Sequence, residues 1–170
     1  PWTLKFLWSP FLEMFKTKKF FVVLTQMVTG AGFALVALAL QLPFFFAVCI
    51  ALLAVIAFSG ATHDVATDGV YMSELSKQDQ AKYIGWQGAF YNIAKIIASG
   101  GLVWLAGALL VGFGGVEGAT EIARYEATRH AWMTVMLILA AVMLLLGFYH
   151  IRMLPSGGAA ASGTKSARET

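Results

Sequence analysis

The chain has 170 residues, of which 59% are hydrophobic and 12% charged, with a mean hydropathy of +0.73. Its apolar residues are gathered in runs too long for a soluble core, which excludes an ordinary water-soluble domain. The net charge of +3 and pI near 9.1 come from basic residues clustered between those runs, a membrane-loop pattern that gives no sign of nucleic-acid binding. Cys49, the single cysteine, lies inside an apolar run, so neither a disulfide framework nor a cysteine metal site is available.

The chain opens on Pro1 with no charged region, apolar stretch and cleavage site ahead of its first helix, so it reads as a piece of a longer protein. Residues 1–12 are apolar and aromatic, are broken at Ser9-Pro10, and are too short to cross a bilayer alone. They read as the tail of a helix, with Lys5 snorkelling to the interface. The run EMFKTKK, residues 13–19, is a short basic loop before a first full crossing at 20–40. Gln41-Leu42-Pro43 makes an uncharged turn, with Pro43 in the first turn of a second helix at 44–71.

Residues 73–82 read as a hydrophilic loop and 84–111 as a third crossing, which carries Lys95 and the small residues Gly85, Gly88, Ser99, Gly100 and Gly101. Small residues let neighbouring helices approach closely. After a glycine-rich connection at 112–118, residues 120–130 read as a short interfacial amphipathic helix with Glu121 and Arg124 paired at i, i+3. The last crossing is 131–153, with Trp132 at one end and Phe148-Tyr149 at the other as an aromatic belt. Residues 156–170, rich in Gly, Ala and Ser, read as a flexible linker. The fold class is therefore all-α, a polytopic membrane helix bundle.

Charge sets the expected orientation. Lys16, Lys18, Lys19, Lys77, Lys82, Arg152, Lys165 and Arg168 fall on one side, and only Arg124 and Arg129 on the other. The richer side is read as cytoplasmic, and with it the linker.

The candidate site is the run GATHDVATDGVYMSEL at residues 60–75, where His63, Asp64 and Asp68 end an otherwise apolar helix. Spacing at i, i+4 puts Asp64 and Asp68 on one face, while His63 points about 100° away. Counted outward from Gln78, Asp64 and Lys95 differ in depth by only about 5 Å at a rise of about 1.5 Å per residue. An Asp64–Lys95 ion pair with Asn92 beside it is thus available if the two helices pack together. That pair either fixes helix packing alone or sets a protonatable carboxylate on a substrate or proton path. Trp86 and Gln87, one turn into the third crossing, are candidates to stack on and bond a sugar. Asp68 reads as a contact at the helix end, while His130 and His150 read as isolated, solvated interfacial histidines. A phosphate loop, an H-E-x-x-H zinc motif and a G-x-S-x-G elbow are all absent, so no enzyme, cofactor or metal is expected.

Three stretches, PWTLKFLWSPFLE with its basic loop, ATHDVATDGVYMSEL, and AFYNIAKIIASGGLVWLAG, resemble the major facilitator superfamily. Within it they are similar to the AmpG-like anhydromuropeptide permeases and the related acetyl-CoA transporters. The resemblance covers most of residues 1–155. It implies the end of helix 2 and helices 3 to 6 of an N-terminal six-helix half, with helix 1 and the C-terminal half lying elsewhere in the protein. Glu13, Lys16, Lys18 and Lys19 look like a loose version of the superfamily's gate loop between helices 2 and 3, with Asp68 at the same cytoplasmic gate. Two departures stand out. Asn92 occupies a position where the compared members often have arginine, with Lys95 one turn later, and 96–101 lacks the Gly-Pro signature of drug antiporters.

Residues and resemblance together imply a secondary transporter in a bacterial inner membrane that imports a small polar solute such as a muropeptide with protons. Its partners would be the lipid bilayer, the solute and protons. Two other classes compete: a membrane scaffold or signalling subunit whose buried charges only specify packing, and an embedded acyl or glycosyl transferase, for which no motif speaks.

Overall fold

Three of the four long helices begin at a side-chain cap. The computed structural model describes residues 2–9, 12 and 16–157, and among these every regular element is helical. Thr17 accepts from Phe20 N at 3.3 Å and opens α1, Lys18–Ala39. A turn holding Pro43 follows, outside the helix, and α2 is Phe45–Glu74. Ser76 accepts from Asp79 N at 3.1 Å and donates to Asp79 Oδ2 at 2.6 Å, opening α3, Lys77–Gly112. Thr120 accepts from Ala123 N at 3.2 Å and opens α4, Glu121–Met153. A capping hydroxyl satisfies one of the N–H groups that a helix start leaves without a partner.

Those caps correct two expectations. The stretch 73–82 is not a loop: α2 runs to Glu74 and α3 starts at Lys77, leaving only Leu75 and Ser76 between them. Nor is 120–130 a separate interfacial helix, because it carries neither Pro nor Gly and continues without a break into α4. Its ion pair is Arg129 to Glu126 at 2.5 Å, not Glu121 to Arg124. α3 is interrupted too, by a π-helical turn at Ile97–Gly101, where two glycines weaken the local backbone preference.

α1 is the axis of the bundle and packs against both α2 and α4, while the second half of α3 packs on α4 and Trp2–Leu7, a 3₁₀ helix, packs on α2. The core is built from small residues. A Cβ at Gly30 would lie 2.8 Å from Leu144 Cγ, one at Gly32 2.7 Å from Ile56 Cγ1, and one at Gly147 2.7 Å from Met27 Cε. The buried apolar side chains are valines and alanines, whereas Phe46, Trp104 and Leu145 are 71%, 74% and 68% exposed. Small residues inside and large apolar residues outside is the distribution that suits a lipid surround. Hydroxyls between α1 and α2 pair with one another: Thr29 Oγ1 donates to Ser59 Oγ at 2.9 Å, and Ser59 Oγ to Thr25 O at 3.0 Å.

The helices alternate in direction, so Lys18, Glu74, Lys77 and Met153 lie at one end. Contacts tie that end together, with Lys19 N donating to Ser156 O at 3.3 Å and Gly157 N to Glu74 Oε1 at 2.8 Å.

Candidate functional site

Asp64 stands ten residues before the last residue of α2, which sets it about 15 Å below that end. Its partner is Lys5, whose Nζ lies 2.6 Å from Asp64 Oδ2. The side chains are 37% and 44% exposed, so the pair sits on the flank of the bundle. Trp2–Leu7 lies along α2 and delivers Lys5 there, and Trp8 packs on Phe58 with ring centroids 5.7 Å apart. Lys5 therefore does not snorkel away. It neutralises the carboxylate that depth counting had assigned to Lys95.

Lys95 is elsewhere. Residues 81–101 of α3 are exposed throughout, and the Lys95 ammonium makes no ion pair among the described residues. The depth count was sound about rise but silent about direction, because it assumed that α2 and α3 stay in contact along their length. They separate after the first turns of α3. Tyr71 Oη donates to Gln80 O at 2.6 Å and Gln87 Nε2 to Asp68 Oδ1 at 3.3 Å, and above these bonds the helices part. Asn92 only donates to Gly88 O of its own helix at 2.9 Å. Trp86 is 63% exposed and packs on Phe90, with centroids 6.1 Å apart.

Of the gate residues, Lys18 and Asp68 share a cavity of about 200 Å³ with Lys5, between α1, α2 and the N-terminal segment. The Lys18 stem crosses Gly69, where an added Cβ would be 2.7 Å from Lys18 Cδ. Lys16 stands over the Phe20 ring at 5.8 Å, a cation–π contact, and the Lys19 side chain lines a separate cleft. Glu13 lies outside the described residues.

A second cavity, of about 340 Å³, lies between α1, α2 and α4 and is lined by His63, Thr67, Tyr71, Glu74 and His150 among apolar neighbours. Thr67 Oγ1 donates to His63 O at 2.8 Å and lies 3.4 Å from His63 Nδ1. His63 Nε2 is buried without a partner among the described residues. His150 Nδ1 lies 3.0 Å from Gln26 Oε1, which can only accept. His150 is thus no isolated interfacial histidine. Sequence reading missed it and Gln26 because the two are 124 positions apart, and only the α1–α4 contact joins them. No group of three or more His, Cys, Asp or Glu among the described residues is arranged to hold a metal ion.

These features define a class: among the described residues every regular element is helical, and four helices are long and apolar enough to cross a membrane, with an ion pair and two histidines toward one end. No family model, curated protein or solved structure matches the chain.

Proposed function

We propose that the chain is the greater part of one half of a secondary transporter of the major facilitator type. It imports a small polar solute, of which a muropeptide is the leading candidate, in symport with protons across a bacterial inner membrane. Helix 1 and the second half of the protein complete it, and the tail beyond Met153 faces the cytoplasm. The observation that carries this reading is the Lys5–Asp64 pair, about 15 Å inside the end of α2, beside a cavity that also presents Lys18 and Asp68. Ionisable groups at such depth in a membrane helix are rare unless they pair or serve a path. In transporters built from two halves, solute binds near the midplane and one half rocks against the other. Asp64 would exchange Lys5 for a proton or a solute amine during that cycle, and Lys18 with Asp68 would close the cytoplasmic end.

A second reading has its own support. The Lys5–Asp64 pair neutralises itself, which is all that a packing role requires, and a scaffold or signalling subunit would use it so. The two readings separate on uptake of labelled anhydromuropeptide by vesicles bearing the protein, with and without an imposed proton gradient. Gradient-dependent uptake that Asp64→Asn abolishes at unchanged protein level supports transport. A wild type that moves no muropeptide removes the substrate. An Asp64→Asn variant that transports normally returns Asp64 to packing.

A further inference from the structure

Pro155 decides how α4 ends. The residue before a proline is driven out of the helical region, and Leu154 is extended, at φ −78° and ψ 133°, so the chain leaves α4 after Met153 and turns across the end of the bundle. Among the described residues, three contacts hold it there. The Leu154 side chain packs on the buried cluster of Val22, Ala66 and Val70. Ser156 O accepts from Lys19 N at 3.3 Å, satisfying one of the N–H groups that the start of α1 leaves without a helical partner. Glu74 Oε1 accepts from Gly157 N at 2.8 Å.

Gly157 is the tightest point of the crossing. Its φ of +74° lies in the left-handed region, and an added Cβ would be 2.9 Å from Lys18 Cβ and 3.0 Å from Val70 Cγ2. The residue is buried between the first turn of α1 and the end of α2. Leu154, Pro155 and Glu74 are at the same time walls of the cavity of about 340 Å³ between α1, α2 and α4, whose other walls include Val22, His63 and Tyr71. One short segment thus ties α1 to α2 and walls the cavity. It belongs to no helix, so two hydrogen bonds and one apolar side chain stand against the entropy of ordering it.

We propose that Leu154–Gly157 is a strap that shuts the cavity between α1, α2 and α4 from water at this end, with Glu74 as its catch. While Glu74 holds Gly157 N the strap lies across the bundle and the cavity is closed. When that bond is broken the strap swings out from the end of α4, withdraws Leu154 from Val22 and Val70, and opens the cavity to water. The strap acts at a different cavity from the one beside Lys5 and Asp64, so it depends on neither the solute nor the coupling ion of the transport reading.

The test sets a reporter thiol in the cavity wall. Cys49→Ala, Val22→Cys is held in lipid nanodiscs, which leave both ends open to water, and treated with a charged methanethiosulfonate. Two further Cys49→Ala variants are its references: Val116→Cys, in the exposed connection before α4, and Val135→Cys, in the middle of α4. Val22 and Val135 are 2% and 1% exposed, and cysteine is no larger than valine, so neither buried reporter overpacks its site. Val22→Cys is expected to react at least about tenfold more slowly than Val116→Cys, because it is reached only through openings of the strap. Gly157→Val cannot adopt the left-handed conformation or fit beside Lys18 and Val70, yet it leaves every named wall of the cavity in place. It should raise the Val22→Cys rate about tenfold, the loss expected when a hydrogen bond to a charged group is broken. Glu74→Gln keeps an acceptor for Gly157 N and should change that rate by less than about threefold. A Val22→Cys that reacts as fast as Val116→Cys without any change to the strap overturns the proposal, as does a Gly157→Val that leaves the rate unaltered. So does a Gly157→Val that speeds Val135→Cys as much as Val22→Cys, since the strap would then support the bundle as a whole and close nothing in particular.

Discussion

The Lys5 ammonium and the Asp64 carboxylate meet at 2.6 Å across 59 positions of sequence, and this contact pins the N-terminal segment to the flank of α2. Removing one partner leaves the other charge beside apolar surface, a loss that exceeds the worth of the pair itself. Because both side chains are more than a third exposed, the cost falls between that of a surface pair and a buried one, about 1–3 kcal/mol. Asp64→Ala and Lys5→Ala should therefore each lower thermal stability in detergent, and the double variant Lys5→Met, Asp64→Leu should recover most of the loss. A double variant no more stable than the worse single one would show that the pair does not set this packing.

The glycines divide into two groups by what surrounds them. Gly32→Val forces a side chain against Ile56 at a site where even a Cβ would be 2.7 Å away. Overpacking of this kind costs about 1–3 kcal/mol. Gly107→Ala meets nothing within 4 Å and should be neutral or stabilising by up to about 1 kcal/mol through helix propensity. Unfolding of both variants in the same detergent is the measurement, and equal effects would contradict the α1–α2 contact.

The four apolar helices were legible because membrane crossings announce themselves as long runs, and runs survive any error about neighbours. Their ends were less so. Ser76 and Thr120 are ordinary polar residues until their hydroxyls are seen to cap α3 and α4, which is why a ten-residue loop shrank to two residues and an interfacial helix merged with a crossing. The site was legible as residues and not as pairs. Asp64 and His63 stood out by being polar in an apolar run, but which cation faces Asp64 depends on the direction α3 takes after Gln87. Sequence spacing carries rise and rotation along one helix; it carries no information on where a second helix diverges.

Ser76 offers a local check on that corrected turn. Ser76→Ala removes the acceptor for Asp79 N and the donor to Asp79 Oδ2, a cap worth about 1 kcal/mol. Amide exchange at residues 77–80 should accelerate about fivefold, while exchange in the middle of α1 stays unchanged. Unaltered protection at 77–80 would mean that the bonds from Gln80 to Met72 O and Leu75 O hold the turn without the cap.

His63 separates stability from function most directly. Its Nε2 is buried without a partner among the described residues, and a group left so is a cost to folding, of the order of 1–3 kcal/mol. Replacing the ring with Phe keeps an aromatic of similar shape, removes the orphan nitrogen and gives up only the long contact with Thr67, whose hydroxyl keeps its bond to His63 O in either variant. His63→Phe should therefore raise the melting temperature or leave it unchanged. Gln26→Leu, by contrast, strips His150 Nδ1 of its acceptor and should lower stability by about 1 kcal/mol. If the cavity between α1, α2 and α4 serves a proton path, His63→Phe loses gradient-driven uptake while gaining or keeping stability. A His63→Phe variant that is less stable and transports as well as the wild type would make the ring a packing element whose Nε2 contributes nothing.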